Sequence, residues 1–201
     1  MNESRIGRPI SAPHRRQFWP LDPRPEEVGG IREIASTLSK QCRFGGRCIE
    51  FYSVAQHSIL VAELVERVAP PLAIYGLLHD AHEAFTGDIA TPLKLDLWAR
   101  PTAKGGQFVH EYPMAEVERR VQLAVLQALG LPDVDTEGVV EHADLVARAT
   151  EARDLMPGAT GIAEVEPDAQ TIVAIPPHAA ERAFLATFER LRATVEPLED
   201  Q

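Results

Sequence analysis

The segment 72–85 constrains the fold more than any other part of the sequence. Its first half is apolar on almost every side of the helix that it predicts. The apolar residues are Leu72, Ala73, Ile74, Tyr75, Leu77 and Leu78. A helix that is apolar all round is stable only when other elements cover it. We therefore expect a helix over 72–85 at the centre of a bundle, opened by Pro70-Pro71 and carrying the adjacent pair His79-Asp80.

Further stretches have the apolar spacing of amphipathic helices. They cover about 31–40, 54–68, 114–129, 135–155 and 178–194. Ser53 is the expected N-cap of the helix over 54–68. The predicted fold class is all-α, a compact single-domain bundle of six or seven helices.

Outside these helices the sequence is rich in turn-forming residues. Residues 1–29 carry many prolines and no helical period, which predicts an N-terminal arm with a short strand near 17–19. Residues 99–113 predict a mobile loop, and 157–177 predict a loop with a short strand over 171–175. The single domain would then consist of the arm, a helical core over 31–155 and a C-terminal part over 157–201.

Composition excludes several functions. The chain has 201 residues and a net charge of −10, so it lacks the basic surface that binding to long nucleic acid requires. No apolar run approaches the length of a membrane span, and the first residues lack the apolar core of a signal peptide. Cys42 and Cys48 do not form a short-spaced pair of metal ligands and predict reduced thiols. We therefore expect a cytoplasmic protein with no membrane partner.

Four residues on the predicted helices have the chemistry of metal ligands: His57, His79, Asp80 and Asp144. Adjacent side chains on a helix point about 100° apart, so His79 and Asp80 can converge on one ion. Burying such a pair is costly unless it is paired or bound to metal. Imidazole with carboxylate suits divalent ions such as Mn, Fe, Co, Ni or Zn. Spacing alone leaves other interpretations open. His79 and Asp80 could cap each other in the core, His57 could be a partly buried structural histidine, and Asp144 could be an ordinary helix carboxylate.

Two carboxylates follow the His-Asp pair. Glu83 lies one helical turn after His79, where it would orient or deprotonate a water, or else hold a ligand histidine. Asp88 follows Thr86-Gly87 and would contact a substrate hydroxyl or the attacking water, or else simply form the turn. We interpret His82 as a residue that does not bind the metal.

Basic residues near the pair suggest a phosphate site. Arg43-Phe44 combines a guanidinium that suits phosphate with a ring that can pack on a base or sugar. Lys94 is a second candidate for contacting phosphate, although a solvated lysine is an equal interpretation. A glycine-rich turn with an arginine is a weak motif by itself.

Together these residues resemble a known family. The order His57, His79-Asp80, Asp144 resembles the HD-domain superfamily of metal-dependent phosphohydrolases. The stretch 79–94 is similar to the bacterial 5'-deoxynucleotidase branch, in which His-Asp, a Glu one turn later and a Thr-Gly-Asp turn recur at these spacings. Phage enzymes that hydrolyse dATP share the same core. The resemblance covers residues 31–155.

The resemblance implies a role for each residue. One divalent metal ion (Mn, Co, Fe, Ni, Zn or Mg) would be bound by His57, His79, Asp80 and Asp144. Glu83 would be the general base, and Asp88 would contact the substrate or the attacking water. Arg43 matches the substrate-binding arginine of the branch. Phe44 stands where the branch has a tryptophan that packs on the sugar, which leaves selection of deoxyribose over ribose open.

The sequence thus predicts a metal-dependent phosphohydrolase that removes the 5'-phosphate of nucleoside or deoxynucleoside monophosphates. The nearest alternative is a triphosphohydrolase that releases triphosphate from a deoxynucleoside triphosphate, with Arg100 and Lys104 as further basic residues. Another is a non-enzymatic nucleotide sensor, which predicts a missing ligand or a missing Glu83; neither is missing. The expected partner is a small nucleotide, and the resemblance also implies a homo-oligomer.

Overall fold

The computed structural model describes residues 5–11, 16–101, 110–162 and 164–195, which form an all-α bundle as the sequence predicts. The helices are α1 Ile31–Leu38, α2 Val54–Val68, α3 Ala73–Leu78, α4 Glu83–Thr86, α5 Thr91–Lys94, α6 Met114–Ala128, α7 Val139–Leu155 and α8 Pro177–Arg192. Within the described ranges, the strands β1 Ile10–Ser11 and β2 Gln17–Phe18 form one small antiparallel sheet, and β3 Trp98–Ala99 and β4 Tyr112–Pro113 form another.

Helix α2 lies at the centre of the bundle and packs against α3, α7 and α8. Ser53 caps it as predicted, since its hydroxyl accepts a hydrogen bond from the amide of Gln56 at 3.2 Å. Gly76 allows α3 to approach α2 closely. A Cβ atom there would lie 3.1 Å from Val65 Cγ2 and 3.2 Å from the Cα of Ala62. This close approach brings the end of α3 next to the first turn of α2.

The prediction of one helix over 72–85 is wrong, because the chain leaves the helix between Leu78 and Glu83. The amide of Ala81 bonds to the carbonyl of Leu78 at 2.9 Å, and that of Glu83 to the carbonyl of Asp80 at 3.0 Å. These bonds span three residues rather than four, so the turn is tighter than an α-helix. His79 and Asp80 therefore lie in a turn that joins α3 to α4.

The N-terminal arm packs against the core. The strand predicted near 17–19 forms as β2, and the fully buried ring of Phe18 stacks on Phe85 of α4 with 4.1 Å between ring centroids. Arg5 bonds to Glu27 at 2.6 Å and lies over the ring of Trp19. The Phe18 contact ties the arm to the side of the bundle that carries α4, and the Arg5 contacts hold the arm together.

The strand predicted over 171–175 does not form. The side-chain amide of Gln56 takes the place of a neighbouring strand, since it donates to the carbonyl of Val173 at 2.7 Å and accepts from the amide of Ile175 at 3.0 Å. Helix α7 begins at Val139, later than predicted, because Glu137 and Gly138 have positive φ angles of 50° and 76°.

The loop predicted over 99–113 begins and ends in the β3–β4 pairing. Its central residues 102–109, including Lys104, lie outside the described part of the chain. None of the described helices combines the length and the apolar character needed to cross a bilayer.

Candidate metal centre

The four predicted ligands meet between α2, the α3–α4 turn and α7. Nε2 of His57 lies 3.2 Å from Nε2 of His79 and 3.2 Å from Oδ1 of Asp144. Oδ2 of Asp80 lies 3.2 Å from Nε2 of His79 and 3.6 Å from Nε2 of His57. Nε2 of His79 is 3.9 Å from Oδ1 of Asp144. Ligand atoms of His57, His79 and Asp144 thus lie within 4.8 Å of one another, and Oδ2 of Asp80 approaches the two imidazoles of this cluster from the side of the α3–α4 turn.

The other nitrogen of each imidazole is held by the protein. Nδ1 of His57 lies 2.6 Å from Oε1 of Glu151, and Nδ1 of His79 lies 2.8 Å from the carbonyl of Gly76. Both acceptors require a proton on Nδ1, which leaves the lone pair on Nε2. Nε2 is therefore the nitrogen that each ring directs at the shared point and that would bind a metal once it is unprotonated, as histidine ligands of metals do.

Glu151 was not singled out in the sequence. It is fully buried and lies seven residues after Asp144, two turns along the same face of α7. That spacing is the one signal that could have pointed to it, and it is common on helices. Arg148 is a second missed residue: its Nη2 lies 3.0 Å from Oδ2 of Asp144 and holds the oxygen that faces away from His57.

The spacing of the ligand atoms fits a single cation. An ion of the zinc type binds imidazole nitrogen at about 2.0–2.1 Å, so two nitrogens on one ion lie about 2.8–3.4 Å apart at angles from octahedral to tetrahedral. The 3.2 Å between the Nε2 atoms of His57 and His79 falls in that range. Two lone pairs at this distance repel each other unless a cation or a proton lies between them. The residues present could therefore hold a metal ion.

Electrostatics at the centre favour positive charge. Burial and Arg43 lower the pKa of His57, but the carboxylates of Glu151 and Asp144 outweigh them and raise it to about 9. Burial opposes ionisation of Asp144, yet its hydrogen bond to His57 and the nearby imidazoles lower its pKa to about 2. Burial also opposes ionisation of Asp80, and His79 outweighs it, holding the pKa well below its ordinary value. Ionised carboxylates thus surround a point that attracts a proton or a cation.

Arg43 lies at the inner side of the centre. Its Nη1 is 3.5 Å from Oδ2 of Asp80 and its Nη2 is 3.4 Å from Oε2 of Glu151. The backbone holds it there, because its amide donates to the carbonyl of Tyr52 at 2.8 Å, just before α2 begins. Burial lowers the pKa of Arg43, but Glu151 and Asp80 more than compensate, so the guanidinium stays charged. Phe44 has a positive φ of 54°, and its ring lies 5.2 Å from the Arg43 guanidinium.

Glu83 and Asp88 form an acidic pair beside the ligands. Glu83 is 2% exposed, and its Oε2, like Oδ2 of Asp88, makes no hydrogen bond to any residue that the structure describes. Burial, together with the charges of Asp80 and Asp88, raises the pKa of Glu83 well above its ordinary value. Burial and the charge of Asp80 also raise the pKa of Asp88, although Arg43 opposes this.

Lys94 pairs with a residue that the sequence analysis did not identify. Its Nζ lies 3.0 Å from Oε1 of Glu118 on α6. Burial lowers the pKa of Lys94, but Glu118 outweighs it and raises the pKa. Burial also opposes ionisation of Glu118, whose pKa is nevertheless lowered by His82 and Lys94. Lys94 thus neutralises a buried carboxylate near the acidic pair.

His82, which the sequence analysis set apart from the ligands, is buried next to them. One ligand atom from each of Asp80, His82 and Glu83 lies within 4.8 Å of the others. Oδ2 of Asp80 also faces both imidazoles of the cluster formed by His57, His79 and Asp144. Asp80 therefore joins the metal cluster to the acidic side of the site.

Comparison with known proteins adds relatives that carry no stated activity. No family model matches the chain. The chain is 37% identical over 124 residues to the uncharacterized protein YfdR of Escherichia coli, a match that covers 62% of the chain and 60% of YfdR. It is 35% identical over 141 residues to the uncharacterized protein RCAP_rcc00048 of Rhodobacter capsulatus, covering 66% of the chain and 65% of that protein. The chain thus spans less than two thirds of the length of these relatives.

Proposed function

We propose that this protein is a metal-dependent phosphohydrolase that removes the 5'-phosphate of nucleoside or deoxynucleoside monophosphates. One observation carries the proposal: two imidazoles and two carboxylates converge, with the buried carboxyl of Glu83 within 4.8 Å of one of them, Asp80. A ligand cluster flanked by a buried carboxyl whose Oε2 makes no hydrogen bond within the described ranges suits metal-assisted hydrolysis. The HD-domain resemblance of the same residues supports the choice of phosphate ester.

His57, His79, Asp80 and Asp144 would hold the ion. Bound there, a divalent ion would acidify a water molecule and polarise a phosphoryl oxygen. Manganese, cobalt, iron, nickel, zinc and magnesium all remain candidates, since nitrogen and oxygen ligands accept many ions.

The remaining residues divide the work of hydrolysis. Glu83 would take a proton from the attacking water while the water oxygen forms its bond to phosphorus. The ester bond to the 5'-oxygen breaks, and that proton returns to the leaving nucleoside. Asp88 would position the water or the substrate. Arg43, charged and 3.5 Å from Asp80, would stabilise the negative charge of the phosphoryl group.

The raised pKa of Glu83 bears on this role. A general base works best when its pKa lies near the operating pH. Burial and the charges of Asp80 and Asp88 move Glu83 upward from the ordinary glutamate value, whereas positive charge in the ligand cluster would favour its ionised form. The upward shift makes the ionised form of Glu83 a stronger base than an exposed glutamate.

A substrate panel tests the proposal. Purified protein is incubated with Mn²⁺, Co²⁺ or Mg²⁺ and with deoxynucleoside monophosphates, nucleoside monophosphates and deoxynucleoside triphosphates. Orthophosphate and triphosphate are measured separately. We expect orthophosphate from monophosphates; triphosphate from a deoxynucleoside triphosphate would instead favour the triphosphohydrolase alternative. Absence of phosphate release from every substrate with every metal would contradict the proposal.

A further inference from the structure

We propose that Gln122 of α6 is a positioning residue, which keeps the α3–α4 turn open and so sets the direction of His79 and Asp80. The inference rests on the proposed metal-dependent function, because it assigns Gln122 a part in building that metal site. Within the described ranges, the side chain of Gln122 bonds to the backbone of Leu78 and His82 and not to the side chain of a candidate ligand. Its effect is transmitted through the backbone of the turn.

The side-chain amide of Gln122 replaces one helical hydrogen bond. Its Nε2 donates to the carbonyl of Leu78 at 2.7 Å, and its Oε1 accepts from the amide of His82 at 3.1 Å. In an uninterrupted α-helix that carbonyl and that amide would bond to each other. A carboxamide offers a donor and an acceptor on neighbouring atoms, so it can be inserted between the two groups and satisfy both.

The insertion changes where the side chains of the turn point. The bonds from Ala81 to Leu78 and from Glu83 to Asp80 span three residues, which is 3₁₀ geometry. Over the four residues from His79 to Glu83, ideal 3₁₀ and α geometries differ by about 80° of rotation. In a continuous helix Glu83 would share the face of His79. The open turn separates them, with His79 directed at His57 and Glu83 directed towards Asp80 and His82.

The buried surroundings offer few other hydrogen-bond partners to the backbone groups of the turn. Leu78 and Ala81 are fully buried, and His82 is 7% exposed. Without Gln122, the carbonyl of Leu78 keeps only its bond from the Ala81 amide. The amide of His82 either loses its partner away from solvent or bonds to that carbonyl and closes the helix. Closing the helix would rotate Asp80 away from His57, whose Nε2 it now approaches at 3.6 Å.

Substitutions at Gln122 separate the two halves of the contact. Gln122→Met keeps the length of the side chain and removes both hydrogen bonds. Gln122→Glu keeps an acceptor for the His82 amide and removes the donor to Leu78. Gln127→Met is the matched control, because Gln127 lies on the same helix and is exposed.

Cobalt binding provides the readout, since Co²⁺ reports both affinity and coordination geometry without any substrate. For each protein we would measure the Co²⁺ dissociation constant, the d–d absorption spectrum and the hydrogen exchange of the backbone amides of 79–83. Loss of an outer partner of a metal site typically weakens affinity about 10- to 100-fold. We expect that loss and an altered spectrum for Gln122→Met, an intermediate loss for Gln122→Glu, and wild-type behaviour for Gln127→Met.

The outcomes separate this inference from the proposed function. Gln122 variants that are less stable yet bind Co²⁺ with wild-type affinity and spectrum would show a merely structural role and overturn the inference. If Gln122→Met does not fold, Gln122→Glu decides by the same criterion. Wild-type protein that binds Co²⁺ but hydrolyses no nucleotide would contradict the proposed function alone. Wild-type protein that binds no Co²⁺ would overturn both.

Discussion

The site has a ligand half, with His57, His79 and Asp144, and an acidic half, with Glu83, Asp88 and His82; Asp80 lies between them. The two halves differ in how many of their buried polar atoms are hydrogen-bonded. In the ligand half, Glu151 and Gly76 hold the outer nitrogens of the two histidines, and Arg148 holds the outer oxygen of Asp144. In the acidic half, around Glu83, several buried polar atoms make no hydrogen bond within the described ranges. They are Oε2 of Glu83, Oδ2 of Asp88 and both ring nitrogens of His82. In the ligand half, Nε of Arg43 and Nε of Arg148 also make none, but neither arginine is a candidate ligand.

The difference indicates what each half is for. Leaving a polar group buried without a partner costs about 1–3 kcal/mol, so folding alone does not favour such groups, and a cluster of them calls for a functional explanation. The ligand half is arranged by the protein itself, which suits a cation site that must hold its geometry. The acidic half has capacity left for water and substrate.

Asp80→Ala should give the largest effect, because Asp80 belongs to both halves. We expect loss of stoichiometric metal and loss of nucleotide hydrolysis together. Metal content of the purified protein and phosphate release would be measured side by side. Asp96→Ala, at an exposed position of the same region, is the control. An Asp80→Ala protein that keeps its metal would contradict the ligand assignment.

Glu83→Gln should separate the two halves. The amide keeps the size of the side chain but cannot accept a proton from water, so turnover should fall about 10²- to 10⁴-fold, the usual worth of a general base. Metal content should stay at the wild-type level. Glu50→Gln, which changes an exposed glutamate, controls for loss of charge alone. Full activity in Glu83→Gln would show that another group is the base.

Glu151→Gln should weaken the ligand half without removing a ligand. The amide no longer fixes the proton on Nδ1 of His57 and no longer balances the charge of Arg43. We expect metal affinity to fall about 10- to 100-fold, as is typical for the outer partner of a ligand histidine. Titration calorimetry with Co²⁺ measures it, and Glu141→Gln, exposed on the same helix, should bind as wild type does. Unchanged affinity would remove Glu151 from the site.

Metal affinity should rise with pH in the ligand half. The pKa of His57 is raised to about 9, so below that pH binding must displace a proton, and log affinity should rise by up to about one unit per pH unit. The metal-free protein should show the opposite trend in stability. The folded pKa exceeds the unfolded value of about 6.5, so stability falls as pH rises from about 6.5 to 9.

Calorimetry in buffers of different ionisation enthalpy would count the protons released on binding, and thermal unfolding of the metal-free protein would follow stability. Removing Glu151 removes much of the cause of the raised pKa of His57. The Glu151→Gln protein should therefore show a flatter pH dependence of metal affinity. A wild-type affinity that does not change over this pH range would contradict the charge balance described for His57.

Much of the fold could be predicted from the sequence because the helices follow from patterns among neighbouring residues. The apolar spacing of α2 and its Ser53 cap, or the amphipathic α6, need only neighbouring residues to be recognised. His57 and the His79-Asp80 pair were also recognisable, since such residues on mostly apolar segments are unusual, whereas Asp144 was supported mainly by the HD-domain resemblance. Glu151 and Gln122 were not recognisable, because glutamate and glutamine on amphipathic helices are ordinary surface residues until the packing buries or engages them.

The sequence by itself determined most of the helical segments and the side chains with the chemistry of metal ligands, because helix formation and side-chain chemistry depend on local residues. Only the tertiary structure decided how those side chains meet. Gly76 lets α3 approach α2, Gln122 interrupts the helix that local pattern predicts to be continuous, and Glu151 orients His57 from α7. Each of these effects joins residues distant in the chain, and a one-dimensional pattern has no signal for contacts made only when the helices pack.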